Sequence, residues 1–189
     1  MILSILIPSL VERSNKLNYI QNRINNLILK DNLSNKVEVL TEIDNRELTT
    51  GEKRNILKER ANGLYVCYID DDDDISDDYL TEILNAIQIS NADVITFCLN
   101  KNTNGVFEYQ NIFSKFMAQG YLVGSDNKIL VMLPVHLCPH KKVLADKIRF
   151  PHTCFREDYE YMLLLDKITK IEYHINKSLY FYDYISGKY

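Results

Sequence analysis

Five consecutive aspartates, residues 70–74, follow directly after an apolar run that ends at Ile69. Carboxylates packed this closely repel one another, and their pKa values rise unless cations or hydrogen-bond donors lie nearby. Carboxylate oxygens suit Mg²⁺ and Mn²⁺, and a Mg²⁺ site commonly uses one or two carboxylates together with substrate phosphates. Side chains two apart share one face of an extended chain. We therefore predict that Asp70 and Asp72 converge on a divalent metal, Asp72 nearest to it, with Asp73 in support.

The acidic residues that come next have a simpler explanation. Ser76 can cap a following helix, and Asp77 and Asp78 would then favour its positive end. A calcium EF-hand loop does not fit, because no register combines Gly at position 6 with Glu at position 12. The metal hypothesis therefore concerns the first aspartates of the row and not the acidic residues after it.

A second polar group lies in TTGEKRN, residues 49–55. Lys53 and Arg54 fall in the first turn of a predicted helix, where the helix dipole disfavours cations. An anion should therefore lie close by, either the aspartates or a diphosphate, which helix N-termini bind readily. The alternative is a solvated basic pair. Neither GxGxxG nor GxxxxGK[ST] occurs in the chain, so the sequence lacks a dinucleotide fingerprint and a P-loop.

The elements that must position these residues alternate between strands and helices. The predicted strands cover residues 2–7, 37–43, 64–69, 93–99, 106–109, 128–133, 171–175 and 179–184, and the predicted helices cover residues 14–30, 51–61, 76–89 and 157–167. This alternation is typical of right-handed βαβ units and a mostly parallel sheet. Ligands of such sheets bind outside the carboxyl ends of the strands, which is where the aspartates fall.

Composition favours one compact domain over residues 1–189, because 189 residues that are 46% hydrophobic can form a sizeable core. The net charge of −4 argues against a broad nucleic-acid-binding face and leaves nucleic acid only as an acceptor. No apolar run approaches the ~18 residues of a membrane span. The N-terminal MILSILIPSL lacks the basic start of a signal peptide. The four scattered cysteines indicate a reduced protein, which we expect to be cytoplasmic.

Four segments together resemble the family 2 glycosyltransferases of GT-A fold: LSILIPSLVER, VEVLTEIDN, TTGEKRNILKERANGLYVCYIDDDDDIS and FREDYEY. The resemblance covers residues 2 to about 165. It implies a single GT-A-like (Rossmann-like) domain that binds a nucleotide-sugar donor, usually a UDP-sugar, with its diphosphate on Mn²⁺ or Mg²⁺. Residues 1–100 would form the nucleotide-sugar-binding half, and residues 101–189 the half that holds the acceptor and the catalytic base.

The resemblance also assigns donor-site residues. Those implied to contact the nucleotide are Pro8, Ser9, Glu12, Asp44, Lys53, Arg54, Asn55, Asp70, Asp71 and Asp72. Among them Asp44 would recognise the nucleotide base. Asp70 and Asp72 would be the two ends of a DxD motif, which commonly contact the ribose and the metal. Asp71 has no separate role. His174 stands where some relatives place a metal-coordinating histidine, although a half-buried strand histidine explains it as well.

The pair Glu157–Asp158 resembles the ED pair that supplies the catalytic base of this family. In an inverting transfer a carboxylate must take the proton of the attacking hydroxyl, and Asp158 is the candidate. The alternative is an acidic pair that favours the start of a helix. Arg156 departs from the family pattern, since a small residue often precedes the pair. No QxxRW follows, which argues against a processive synthase.

HLCPH at residues 136–140 and HTC at residues 152–154 gather three histidines and two cysteines. They could pack ordinarily or bind zinc, although the usual ligand spacing is missing. His136 could also contact the donor sugar or the acceptor. Tyr180, Tyr182 and Tyr184 alternate on one strand face and could stack on a sugar or simply pack.

Three functions are compatible with these residues. The first is a metal-dependent, inverting, non-processive glycosyltransferase with a hydroxyl acceptor. The second is a nucleotidyltransferase that uses an NTP and a sugar phosphate, and the third is a non-catalytic nucleotide-sugar-binding module. The wealth of Asn, Lys, Ile and Tyr fits AT-rich coding in bacteria or phages, so the acceptor could be a surface glycan or a phage-modified DNA base.

Overall fold

In residues 1–123 and 128–185, which the computed structural model describes, strands and helices alternate as the sequence predicts. The strands are β1 (Leu3–Leu10), β2 (Val37–Asp44), β3 (Tyr65–Tyr68), β4 (Asp74–Ile75), β5 (Val94–Thr103), β6 (Val106–Phe113), β7 (Gly120–Val123), β8 (Lys128–Met132), β9 (His140–Lys141) and β10 (Glu172–Tyr184). The helices are α1 (Ser14–Lys30), α2 (Thr50–Arg60), α3 (Tyr79–Ser90), α4 (Lys142–Ala145) and α5 (Glu157–Ile168), with a short 3₁₀ turn at Val11–Arg13. Over the described residues no helix is long and apolar enough to cross a membrane.

One sheet runs through the fold in the order β2-β1-β3-β9-β5-β6-β8-β7, and β10 pairs with β5 and with β4. Strands β2, β1 and β3 are parallel neighbours, with Leu10 beside Asp44 and Leu6 beside Tyr68. Strand β10 is parallel to β5 over its length, whereas β9 runs antiparallel between β3 and β5. The carboxyl ends of β1, β2 and β3 therefore meet at one edge of the sheet.

Helices cover both faces of this sheet because successive strand residues point to opposite sides. Leu3, Ile5 and Ile7 of β1 join the larger core with the apolar sides of α1 and α3. Leu6, between them, joins the second core with residues of α2, α4 and α5. The predicted fold class, an α/β domain with a mostly parallel sheet flanked by helices, is confirmed. The division at residue 100 stays a prediction, and residues 124–127 and 186–189 of the predicted domain lie outside the described residues.

The structure differs from the predicted elements mainly where strands pair over a few residues. The two strands predicted over 171–175 and 179–184 are one strand, β10, whose pairing with β5 shifts register between His174 and Tyr180. Helix α3 begins at Tyr79 and not at Ser76, because the Ser76 N–H donates to Leu179 O and keeps the chain beside β10. Strands β4, β7 and β9 and helix α4 are too short for sequence periodicity to reveal.

Candidate active site

The aspartate row leaves β3 as a turn and not as an extended chain. The Asp73 N–H donates to Asp70 O at 3.2 Å, which closes the turn. Side chains two apart do not share a face there, so the predicted convergence of Asp70 and Asp72 by strand alternation is wrong. Each carboxylate instead points to partners on a different element, and we call residues 70–73 the aspartate turn.

Asp70 is held by a buried arginine of α2. Arg54 Nη2 lies 2.9 Å from Asp70 Oδ1, and its Nη1 lies 2.8 Å from Glu157 Oε1 at the start of α5. The Arg54 side chain is only 4% exposed, and its guanidinium lies 5.4 Å from the ring centroid of Phe150. Burial acts to raise the pKa of Asp70, but Arg54 and the nearby His136 together hold that pKa below its usual range. One guanidinium thus ties the aspartate turn to α5.

Asp71 points back into the protein, toward β1. Ser9 Oγ donates to Asp71 Oδ2 at 2.5 Å, and Arg13 Nη1 lies 2.8 Å from Asp71 Oδ1. Burial raises the pKa of Asp71, more than the Ser9 hydrogen bond and the Arg13 charge lower it. Asp71 is 1% exposed, so it anchors the turn to β1 and does not face a ligand.

Asp72, which like Asp70 is partly exposed, is bound by two cations. Its Oδ2 is bound by Arg13 Nη2 and by Lys16 Nζ, the latter at 3.0 Å. The Asp72 side chain is 23% exposed, and those of Arg13 and Lys16 are 30% and 36% exposed. Neither cation is among the site residues predicted from the sequence.

Asp73 is held from β10. The Tyr180 hydroxyl donates to Asp73 Oδ2 at 2.7 Å and accepts the Asp70 N–H at 3.1 Å. Burial, followed by the charge of Asp70, raises the pKa of Asp73 well above its usual range. Tyr180 is fully buried, so it supports the turn and does not form part of a sugar-stacking wall.

Asp44, at the end of β2, lies beside the same edge. Its Oδ1 is 2.7 Å from Lys53 Nζ, and Lys53 also donates to Ser9 O at 2.8 Å. A small cleft of about 200 Å³ opens next to it, lined by Leu10, Val11, Glu12, Asp44, Asn45 and Arg46. Glu12 is exposed and pairs with Arg46 across this cleft. Pro8 is buried in β1, directly before Ser9.

The start of α2 is fixed by a capping box between Thr49 and Glu52 and by a close approach of the loop before α5. The Gly51 N–H donates to Thr153 O at 3.2 Å. A Cβ on Gly51 would lie 1.9 Å from Pro151 O, so only glycine fits there. Asn55 donates to Phe150 O at 2.9 Å and accepts from Phe150 N–H at 3.0 Å. Both ends of the buried Asn55 amide therefore hold this loop, and its nucleotide contact stays a prediction.

Asp158 occupies the first turn of α5, next to Glu157. It is half-buried, and its Oδ1 accepts the Tyr159 N–H at 2.8 Å. Burial lowers the pKa of His136, and the charge of Asp158 acts against that lowering. The same charge favours the protonated form of Arg54, whose pKa is raised, so Asp158 lies near both. Arg156, just before the pair, adopts a left-handed conformation with φ 66°. A small residue suits this position for that reason, since a Cβ is strained there.

The histidines do not gather into one site. His136 is buried, and its Nε2 lies 3.8 Å from Asp70 Oδ2, so it lies next to the aspartate turn on the interior side. His140 binds Cys138 O and the Tyr161 hydroxyl, each at 2.8 Å, and His152 pairs with Glu52. These separate partners account for the histidines by ordinary packing and not by a zinc site. Neither nitrogen of His136 has a hydrogen-bond partner among the described residues.

His174 is not brought to the aspartates. Its Nδ1 lies 3.0 Å from Thr96 Oγ1 on the neighbouring strand β5. Tyr180, which contacts the aspartate turn, lies further along β10, and a strand rises about 3.3 Å per residue, so roughly 15–20 Å separate His174 from the turn. The position of His174 in β10 does not support its predicted metal contact, which stays a prediction.

The described residues fit a divalent ion only if a bound ligand supplies part of its coordination. Among the described residues, no group of three or more His, Cys, Asp and Glu side chains could bind an ion by itself. Asp72 nevertheless offers a partly exposed carboxylate, and Mg²⁺ sites often use one or two carboxylates with substrate phosphates. Asp72, and not a cage of aspartates, is the residue that would hold Mn²⁺ or Mg²⁺.

No protein-family model matches the chain, and no curated protein is significantly similar to it. Solved structures of S. aureus TarS are similar in fold. TarS 1–349 in complex with UDP-GlcNAc superposes on the whole chain with a TM-score of 0.71 at 16% identity, and the complex with UDP does so over 97% of it with a TM-score of 0.70. The chain spans 60% of TarS 1–349 and 37% of the longer TarS structure. The similarity confirms the predicted GT-A-like fold.

Proposed function

We propose that this protein is a glycosyltransferase that moves a sugar from a nucleotide-sugar donor, a UDP-sugar, to a hydroxyl acceptor. The observation that carries the proposal is the Arg54 bridge. It joins Asp70, on the aspartate turn at the carboxyl end of β3, to Glu157, directly before the candidate base Asp158. A donor-binding edge and an acid–base residue are thereby held in one rigid unit, as a transfer reaction requires.

The donor would lie along the carboxyl ends of β2, β1 and β3. Asp44 stands beside the small cleft and would accept hydrogen bonds from the base, while Asp70 would accept them from the ribose. The diphosphate would then reach Asp72, a partly exposed carboxylate of the turn. The GT-A-like fold supports this placement, since TarS, which shares it, was crystallised with UDP-GlcNAc and with UDP. We also propose that the chain is a family 2 glycosyltransferase and that Asp70 and Asp72 are the two ends of its DxD motif.

The chemistry we propose is an inverting transfer. The acceptor oxygen attacks the anomeric carbon as the bond from that carbon to the diphosphate oxygen breaks, and Asp158 takes the acceptor proton. UDP leaves with the electron pair of the broken bond, so its negative charge grows and must be stabilised. Asp72 would hold Mn²⁺ or Mg²⁺ against the phosphates, and such an ion supplies positive charge to the departing diphosphate.

Two exposed aromatic residues flank Asp158 in the chain. Phe155 is 86% exposed and Tyr159 is 48% exposed. Phe155 O accepts a hydrogen bond from the Thr153 hydroxyl at 3.1 Å, so its loop is ordered by its own contacts. We propose that these rings stack on a sugar of the acceptor. The net charge of −4 favours a glycan over DNA as the acceptor.

A donor screen tests the proposed function. Nucleotide release from UDP-sugars, with Mn²⁺ or Mg²⁺ and a hydroxyl acceptor, is compared among wild type, Asp72→Ala and Asp158→Asn. Asp77→Asn is the matched control, because that side chain is 77% exposed and pairs with Arg23 outside the site. We expect wild type and the control to release UDP, and both site variants to lose about 100-fold or more of the rate.

The same screen separates the alternatives. Product formation from an NTP and a sugar phosphate, without turnover of UDP-sugars, would show a nucleotidyltransferase. UDP-sugar binding without turnover would show a non-catalytic module. Full transfer by Asp158→Asn would refute the assignment of the base, and the absence of binding to any nucleotide sugar would refute the proposal as a whole.

A further inference from the structure

Two partly exposed cations, Arg13 and Lys16, contact the aspartate turn at the candidate donor site. Arg13 ends the 3₁₀ turn after β1, and Lys16 lies in the first turn of the 17-residue helix α1, which has no acidic residue in that turn. Cations are disfavoured at a helix N-terminus. The sequence therefore places positive charge where the helix itself does not favour it, and the partners of that charge lie outside the helix.

The partners are two carboxylates of the aspartate turn, the buried Asp71 and the partly exposed Asp72. Arg13 bridges Asp71 and Asp72 with its two terminal nitrogens, and Lys16 binds the same oxygen of Asp72. These contacts differ from that of Arg54, whose side chain is 4% exposed and pinned between two carboxylates. Arg13 and Lys16 are about a third exposed. The two ion pairs with Asp72 are partly exposed on both sides and contribute little to stability, so they can exchange partners, whereas the pair of Arg13 with the buried Asp71 is not of this kind.

A nucleoside diphosphate is the partner that such cations prefer. Arginine binds phosphate oxygens in a bidentate manner, and charge-assisted hydrogen bonds are stronger than neutral ones. We propose that Arg13 and Lys16 bind the diphosphate of the donor, leaving Asp72 as the phosphates arrive. This inference rests on the proposed function. In the absence of nucleotide the same two cations occupy Asp72 and compete with a divalent ion for it.

The test compares binding of UDP and of uridine by calorimetry, in EDTA and in Mn²⁺. Arg13→Gln and Lys16→Gln remove one cation each and keep a similar length. Arg23→Gln is the matched control, because Arg23 lies on the same helix, is also 30% exposed, and pairs with Asp74 and Asp77 instead. All variants are first checked for cooperative thermal unfolding.

We expect Arg13→Gln to weaken UDP binding in EDTA by about tenfold or more, the value of one charge-assisted contact. Lys16→Gln should act in the same direction, and uridine affinity should stay within about twofold for both, because uridine lacks the phosphates. Manganese binding without nucleotide, followed by electron paramagnetic resonance, should tighten in Arg13→Gln because a competitor for Asp72 is gone. Arg23→Gln should change none of these affinities.

Three results would overturn the inference. UDP affinity in Arg13→Gln that matches Arg23→Gln would show that the cations do not reach the phosphates. An equal loss for uridine would show that Arg13 acts on the base or on the fold. Failure of wild type to bind UDP even with Mn²⁺ would refute the proposed function, and this inference with it.

Discussion

Replacing Tyr180 by phenylalanine removes one oxygen atom and two hydrogen bonds of the aspartate turn. The hydroxyl donates to Asp73 Oδ2 at 2.7 Å and accepts the Asp70 N–H at 3.1 Å, while the ring lies fully buried in the core. Phenylalanine keeps the apolar packing, so the change isolates the polar contacts. A buried polar group left without a partner costs about 1–3 kcal/mol. With two such groups we expect Tyr180→Phe to lower the free energy of unfolding by about 2–6 kcal/mol.

The same change should weaken UDP binding, because the turn that presents Asp70 and Asp72 is no longer fixed from β10. We expect the Kd for UDP in Mn²⁺ to rise about tenfold, which corresponds to about 1.4 kcal/mol. Tyr65→Phe is the matched control. Its buried hydroxyl donates to Ala92 O at 2.5 Å, away from the site. The control should lose about 1–2 kcal/mol of stability and bind UDP as wild type does.

Urea unfolding and calorimetric titration measure the two effects on the same samples. A loss of stability below about 1 kcal/mol in Tyr180→Phe would show that the turn does not depend on this hydroxyl. An equal loss of UDP affinity in both variants would show that binding follows general stability and not the geometry of the aspartate turn. Either result would refute the reasoning.

Three further predictions concern the frame of the site. Burial lowers the pKa of His140 from 6.5 to about 4, so only the unfolded chain gains a proton between these values. His140 should contribute a loss of about 3 kcal/mol of stability as pH falls from 6.5 to 4, and His140→Gln should show a flatter urea-unfolding profile. Gly51→Ala should lose about 2 kcal/mol or more because of the contact with Pro151 O; unchanged stability would contradict the close approach. Arg156→Gly should keep or raise stability by up to about 1 kcal/mol, since it relieves the left-handed strain; a clear loss in urea unfolding would contradict this.

Many strands and helices could be predicted because hydrophobic residues in buried strands and amphipathic helices recur with the period of the element. Leu3 to Ile7 and the apolar positions of α1 fall where the pattern places them. The position of the aspartates at the carboxyl end of β3 follows from the same pattern. Their geometry does not, because strand alternation holds only while the chain is extended, and the chain turns at Asp70.

The partners of the aspartates were harder to predict for two different reasons. Tyr180 is 110 residues from Asp70 in sequence, and only the pairing of β10 with β4 and β5 brings it there. Arg13 and Lys16 did leave a signal. They are cations at the start of a helix, the feature that drew attention to Lys53 and Arg54, and the same electrostatic argument applies to both pairs.

The most direct test of the account is a crystal structure of the protein grown with UDP and MnCl₂, with the manganese located by its anomalous signal. The account predicts manganese bound by Asp72 and by the phosphates, the uracil beside Asp44, and Arg13 turned from Asp72 to a phosphate oxygen. UDP bound away from the carboxyl ends of β1, β2 and β3, or manganese held without Asp72, would contradict it.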